Sequence, residues 1–310
     1  MPTATPTQER SQEIKDNVKQ HYANAIQNPA SGCCGTASSV FANDPSLIRQ
    51  IGYSDEELKI IPTDAAANSF GCGNPLAFAE LREGDVVVDI GSGAGIDCFI
   101  AAQKVGPTGR VIGVDMTQAM LERARVNAKN AGLTNVEFRE GDAESLPLDD
   151  RSADWVISNC VINLAPDKEK VFREIARVLK PGGRISISDI VVGDLPWWIR
   201  RSQRFYASCL SGALHEEQYL AAIRAAGLQN VRVTSRFVYD ETSISAFTGV
   251  DDSTSGCGCG SSGKNGSIPW KERMTTALLK RFAGPIGRRL AGQVTSIKVQ
   301  AERLLPDQTR

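Results

Sequence analysis

Apolar residues in the middle of this chain come in two alternating arrangements. Short runs rich in Val and Ile read as buried strands, at Val86–Ile90, Arg110–Val114, Val136–Glu140, Asp154–Ser158 and Gly183–Asp189. Segments of helical period stand between them, at Ile96–Val105, Thr117–Asn130 and Asp167–Leu179. In the last of these, Val171, Ile175 and Val178, joined by Phe172 and Leu179, form a stripe suited to packing on a sheet. Strand and helix in alternation predict an α/β fold, a doubly wound and mainly parallel sheet with helices on both faces. Ligands of such sheets bind at the carboxyl ends of the strands. That edge gathers Gly91, Asp115, Asp142 and Asn159.

Outside this body the pattern is less regular. Residues Gln8–Ala25 read as a helix with Ile14, Val18, Tyr22 and Ile26 on one stripe, and Ser54 with Glu57 has the spacing of a capping box. Leu195–Leu214 is aromatic-rich and predicted helical, and it contains Cys209. Gln218–Gly227 predicts a further helix and Val231–Tyr239 alternates like a strand, so these pieces are expected to cap the ligand edge. Thr254–Ser267 reads as a linker by composition and carries Cys257 and Cys259. Beyond it Met274, Leu278, Phe282, Ile286, Leu290 and Val294 repeat at helical spacing among basic residues, with a kink expected at Pro285. The expected division is 1–50, a helix and a cysteine-bearing loop; 51–192, the core; 193–255, the cap; and 256–310, linker and cationic tail. For that tail, docking on the body or on a second subunit is favoured over membrane binding.

Composition narrows the setting. A formal net charge of −1 over 310 residues gives no field that would draw nucleic acid. No apolar run reaches the roughly 18 residues of a membrane span, and the first residues lack the basic and apolar parts of a signal peptide. The expectation is a cytoplasmic monomer whose eight cysteines are mostly reduced thiols.

Candidate chemistry begins at VVVDIGSGAG, Val86 to Gly95. Glycines after a buried strand let the backbone approach a ligand, and the next helix offers free N–H groups. Asp115, ending the second strand, has the place of a carboxylate that holds ribose hydroxyls. The spacing Gly91-x-Gly93-x-Gly95 followed by Ile96 departs from the dinucleotide pattern, and no P-loop lysine follows. GDAESLP from Gly141, DWVISNCVINL from Asp154 and VLKPGGRISISD from Val178 then arrive in order. With these the chain resembles the class I S-adenosylmethionine-dependent methyltransferases over Leu81 to Ile190, which implies their Rossmann-like sheet. The resemblance implies that Gly91, Gly93 and the backbone after Asp89, in the loop closed by Gly95, hold the methionine part of the cofactor. It further implies that Asp115 takes the ribose, Met116 lines the adenine, and Asp142 and Ala143 meet the base edge with Glu144 nearby. Asn159 falls where substrate and methyl group meet.

The cysteines sharpen this. A free cysteine is most often a buried packing residue, and Cys98, on the helix after the glycine loop, fits that description. Cys72 in a glycine-flanked loop, Cys160 directly after Asn159, and Cys209 on the capping segment lie where three thiols could converge. Thiolates select soft acceptors. Structural zinc wants four ligands, commonly from close-spaced pairs, and the body has no such pair. A trivalent metalloid such as arsenic takes three thiolates and keeps a lone pair that can attack a methyl carbon without a general base. That agrees with a chain holding only His21 and His215, neither in a motif.

NSFGCGNP, SNCVINLAPDK and ASCLSGAL are similar to the cysteine-bearing segments of arsenite S-adenosylmethionine methyltransferases, and the likeness runs from Ile14 to Asp240. That resemblance implies Cys160 and Cys209 as ligands of As(III), with Cys72 joining them for the first methylation and for disulfide relays. It assigns a fourth cysteine to SGCCG, where Cys34 is preferred over the adjacent Cys33. It also implies arsenite and then methylarsenite as substrates, dimethylated or trimethylated products, and thioredoxin or glutathione as reductant. The loop reads GSGAG where that family often has GCGTG, and the cysteine pair beyond Ser255 lies outside the likeness. Cys257 and Cys259 are read evenly as an arsenic collector or a passive linker. Two alternatives stand beside this: a methyltransferase of another small molecule with structural cysteines, and a non-catalytic thiol protein that binds metalloids.

Overall fold

A computed structural model describes residues 8–27, 49, 52–62, 64–65, 71–77, 79–200, 206, 209–240 and 290–305. The expectations for Cys33, Cys34, Cys257, Cys259 and the tail from residue 274 to 289 lie outside these. Helix α1 spans Gln8–Gln27 and α2 spans Asp55–Ile60. At the start of α2 the capping box forms, with Ser54 accepting from Glu57 N–H and Glu57 accepting from Ser54 N–H. The body follows as β1 Val86–Ile90, α3 Ile96–Val105, β2 Arg110–Asp115, α4 Gln118–Asn130, β3 Val136–Glu140 and β4 Ala153–Asn159. Next come α5 Lys168–Val178, β5 Leu179–Val192, α6 Trp197–Arg200, α7 Glu216–Ala225, β6 Gln229–Val238 and β7 Val294–Glu302. The expected strands and helices of the body are thus all present, with β5 longer at both ends than the alternation suggested.

The strands form one seven-stranded sheet in the order β3-β2-β1-β4-β5-β7-β6. The pairs from β3 to β5 are parallel, and β7 runs antiparallel between β5 and β6. One face is covered by α5 and α7, where Val171, Phe172, Ile175, Val178, Tyr219 and Ile223 are fully buried. The other is covered by α3 and α4, with Phe99, Ile100 and Leu121 at its centre. A third apolar cluster sits over the carboxyl ends of the strands, where Val18 from α1 meets Ile190, Leu195, Ile199 and Leu210. The stripe read on α1 therefore faces the ligand edge.

Within Leu195–Leu214 the expected helix is present at α6, Trp197–Arg200, and Cys209 takes φ +61°, a left-handed backbone. One expectation is corrected. The tail stripe was carried as far as Val294, yet Val294 opens a strand. Beyond it the buried apolar residues Ile297, Val299 and Ala301 fall at every second position, a strand period. As β7 this segment pairs with β5 over nine positions, from Arg184 opposite Glu302 to Val192 opposite Val294. Residues read as cap and tail therefore supply the last two strands at one end of the sheet, β6 at the edge and β7 beside it.

Candidate active site

The glycine loop leaves β1 through three left-handed residues, Gly91 at φ +75°, Gly93 at +52° and Gly95 at +97°. A Cβ on Gly91 would lie 2.1 Å from the Val161 side chain, whereas one on Gly93 would meet none of the described residues within 4 Å. Gly93 therefore presents bare backbone to a cavity. Gly91, Gly93, Asp115, Met116, Asp142, Ala143, Asn159 and Cys160 all line this cavity, with Val18 and Tyr22 of α1 as its roof. Asp115 accepts from Gly93 N–H at 3.0 Å and Thr117 N–H at 2.8 Å, so loop and strand end are tied together. Burial lifts its carboxyl above the ordinary value, and those backbone donors oppose the lift. Ser92 Oγ is buried and has no hydrogen-bond partner among the described residues. A hydroxyl so placed, beside open backbone and a carboxylate, suits a polar nucleoside cofactor of the S-adenosylmethionine kind.

Three residues expected at the cofactor are not in the cavity wall. Gly95 caps α3 and packs on the Phe99 ring, where a Cβ would come within 2.6 Å. Asp89 is 2% exposed beneath the loop and accepts from Cys98 Sγ at 3.2 Å. Burial and then the neighbouring Asp97 push its carboxyl well above the usual range. The Cys98 thiol is itself raised by burial and by Asp89, in keeping with a packing role. Glu144 accepts from Asp167 N–H at 3.0 Å and from Lys15 Nζ at 2.8 Å. Lys15 also reaches Asp142 at 2.6 Å, so α1 is clasped onto the cavity rim by one ammonium on two carboxylates.

The thiols do converge. Cys72, Cys160 and Cys209 are free, buried and members of the same apolar cluster, which Tyr22 and Met116 adjoin. The Cys72 and Cys160 sulfurs and an Asp189 carboxylate oxygen lie within 4.8 Å of one another. Cys209 Sγ donates to the Cys160 carbonyl at 2.9 Å. Cys160 and Cys209 both take left-handed backbone, φ +62° and +61°, unusual for residues with a side chain. Such strain gathers at functional sites, and here it turns two thiols from separate segments toward one point. Burial, then hydrogen bonds with Cys209 and Cys72, push the Cys160 thiol well up. For Cys209 the bond to Cys160 pulls down, but burial and Asp189 outweigh it. Cys160 and Cys209 are therefore held toward the neutral thiol form.

Several residues of this site carried no motif. Asp189 is fully buried, accepting from Asn163 Nδ2 at 2.8 Å and from the Tyr219 hydroxyl at 3.1 Å. Burial raises it to about 7, and the partly buried Lys168 beside it is lowered to about 8. Its signal was the one used for Asp115, an acid ending an apolar strand. Tyr53, Asp97 and Ser296 had no such signal.

Comparison with known proteins follows this geometry. The family described as a methyltransferase domain matches residues 81–227. An arsenite methyltransferase of Halobacterium salinarum is 40% identical over 235 residues, covering 73% of this chain and 60% of that protein. The arsenite methyltransferase of Homo sapiens is 36% identical over 220 residues, 66% of this chain and 56% of that one. The chain thus spans about three fifths of the length of the curated relatives it matches. Among solved structures, an arsenic(III) S-adenosylmethionine methyltransferase from Chlamydomonas reinhardtii superposes with a TM-score of 0.56 at 29% identity, covering 85% of this chain and 75% of that one.

Proposed function

We propose that this chain, which has a methyltransferase-like domain and is similar to arsenite methyltransferases over most of its length, methylates trivalent arsenic, arsenite first and methylarsenite second. The observation that carries this reading is the meeting of three buried thiols at Cys160, a residue that also lines the cofactor cavity. Arsenite hydroxyls exchange with the thiols of Cys72, Cys160 and Cys209: each S–H and As–OH become S–As and water. The exchange needs no preformed thiolate, which suits Cys160 and Cys209, whose thiols burial pushes up. S-adenosylmethionine, when bound, supplies an electrophilic methyl on a sulfonium. Gly91, Gly93, Asp115, Met116, Asp142 and Ala143 would hold it; the arsenic lone pair would take the methyl as the carbon–sulfur bond breaks to leave the neutral thioether, and the thiol reductant would return the oxidised arsenic to the trivalent state.

The contribution of this chain is alignment. Neighbouring thiols and a shaped cavity hold nucleophile and acceptor face to face, an effect that accounts for a large share of a bimolecular barrier. Thioredoxin or glutathione is the reductant in this reading, and the setting is a cytoplasmic monomer. No described helix is long and apolar enough to cross a membrane.

The test is incubation of purified protein with S-adenosylmethionine, arsenite and a thiol reductant, reading methylated arsenicals by chromatography with elemental detection. Wild type is expected to produce them, and Cys209→Ser to produce none from either arsenite or methylarsenite. Cys72→Ser is expected to lose arsenite turnover and keep methylarsenite turnover. Binding of arsenite and cofactor without transfer would overturn the enzymatic reading in favour of a thiol-binding protein.

A further inference from the structure

The peptide of Cys72 is gripped from both sides by residues far from it in sequence. Its N–H donates to Asn159 Oδ1 at 3.0 Å, joined by the Gly73 N–H at 3.3 Å. Its carbonyl accepts from the Ser296 hydroxyl at 2.9 Å, across 224 positions of chain. Ser296 is 4% exposed and stands in β7 opposite Ile190 of β5.

Asn159 is itself locked. Its Nδ2 donates to the Gly73 carbonyl at 2.6 Å and reaches Asp97 Oδ2 and the Tyr53 hydroxyl, each at 3.1 Å. Tyr53 closes the ring by donating to Asp97 Oδ1 at 2.7 Å. The flanking glycines explain why the loop can lie so close. A Cβ on Gly71 would fall 2.3 Å from Asn159 Nδ2, and one on Gly73 would fall 1.9 Å from Ser188 Oγ.

We propose that Ser296 and Asn159 are positioning residues for Cys72, a two-sided clamp that places its sulfur against Cys160 and thereby sets whether an arsenical is held by three thiols or two. This rests on the reading of the site as an arsenic methyltransferase. Arsenite has three hydroxyls to exchange and needs all three thiols. Methylarsenite has one position already taken by carbon and needs two. Loosening the clamp therefore weighs on the first substrate and spares the second, whereas general damage to the fold weighs on both.

The variant is Ser296→Ala, with Ser296→Thr as the form that keeps the hydroxyl. Purified proteins are assayed for kcat/KM on arsenite and on methylarsenite. In parallel, Cys72 and Cys160 alkylation by N-ethylmaleimide is timed by peptide mass spectrometry on the reduced, substrate-free chain. The expected result is a fall of about tenfold for arsenite with methylarsenite within about twofold, since small misplacements of reacting groups cost heavily. Ser296→Thr restores arsenite turnover, and Cys72 is alkylated faster in Ser296→Ala while Cys160 is not. A parallel fall on both substrates with unchanged Cys72 labelling overturns the clamp, as does no change in either. If wild type makes no methylated arsenical, the activity reading fails, and the labelling alone decides: faster Cys72 alkylation in Ser296→Ala upholds the clamp and an equal rate overturns it.

Discussion

The ligand edge of this sheet has two halves that are built in different ways. In the cofactor half, the bond tying the glycine loop to Asp115 spans 22 positions. In the thiol half, Cys209 reaches Cys160 across 49 positions, Cys72 reaches Asn159 across 87, and Cys72 reaches Ser296 across 224. The first half is a strand, a turn and a helix repeated, and its geometry is set by local backbone. The second exists only once β4, β5 and β7 have been laid side by side. Long-range contacts cost more chain entropy before they reward it, so the thiol half depends on the finished sheet. The two halves touch at Cys160 and under Tyr22 of α1.

If the halves are separate in construction, they should be separable by substitution. The largest effect is expected from Cys160→Ser: methyl transfer to either arsenical falls by about a thousandfold or more, a loss of roughly 4 kcal/mol in transition-state stabilisation. The dissociation constant of S-adenosylmethionine by calorimetry should stay within about twofold of wild type, because no backbone donor of the loop is touched. Asp115→Ala is the mirror experiment. Loss of a charged hydrogen-bonding partner should weaken cofactor binding by roughly 30-fold, about 2 kcal/mol, while binding of a trivalent arsenical is unchanged. Parallel losses in both assays would show that the halves are one unit.

The buried link behind Asn159 should show as a pH effect. Burial raises Asp97 to about 6 from 3.8, so the folded state holds that proton more tightly than the unfolded one. Its contribution to stability is full below about pH 4 and is lost as pH rises through about 6, at up to roughly 1.4 kcal/mol per pH unit. Melting temperatures of wild type and Asp97→Asn, followed from pH 4 to 7, should therefore differ in slope, the wild type falling more steeply. Equal slopes would place the proton elsewhere.

A smaller effect is expected where α1 closes the roof. Lys15 is held above its ordinary value, since its bonds to Asp142 and Glu144 outweigh the burial that pulls it down. Lys15→Met should raise the cofactor dissociation constant by about fivefold by loosening that clasp, in line with a partly buried ion pair. A tighter constant would mean that Lys15 competes with the cofactor for Asp142. The smallest effect is expected for Cys98→Ala, with turnover of both arsenicals within about twofold of wild type. That thiol sits in the core under the loop, and its removal costs stability rather than chemistry.

Much of this protein was legible in its residues, and the exceptions are instructive. Strand and helix alternation, the capping box at Ser54 and the acid ending β2 are local signals, and each stands where the pattern put it. The three cysteines could be singled out because each sits in a marked setting, between glycines, after a strand end, or on an aromatic-rich insert. What escaped was β7. Its period of two lay beyond a helical stripe, and nothing in V-T-S-I-K-V says that it will insert between β5 and β6. Lys15, Tyr53, Asp97 and Ser296 escaped with it, being ordinary polar residues until tertiary neighbours give them partners.

By itself, then, the sequence determined the α/β class, the glycine loop at the ligand edge and the marked settings of its cysteines. These follow from periodicity and residue chemistry, which act over a few positions. Only the tertiary structure decided that Cys72, Cys160 and Cys209 share one buried nest, that Asp89, Gly95 and Glu144 stand behind the cavity wall, and that a serine at 296 holds a cysteine at 72. The reason is physical: a hydrogen bond between distant residues is fixed by which strands lie adjacent, and strand order is a property of the whole packed sheet.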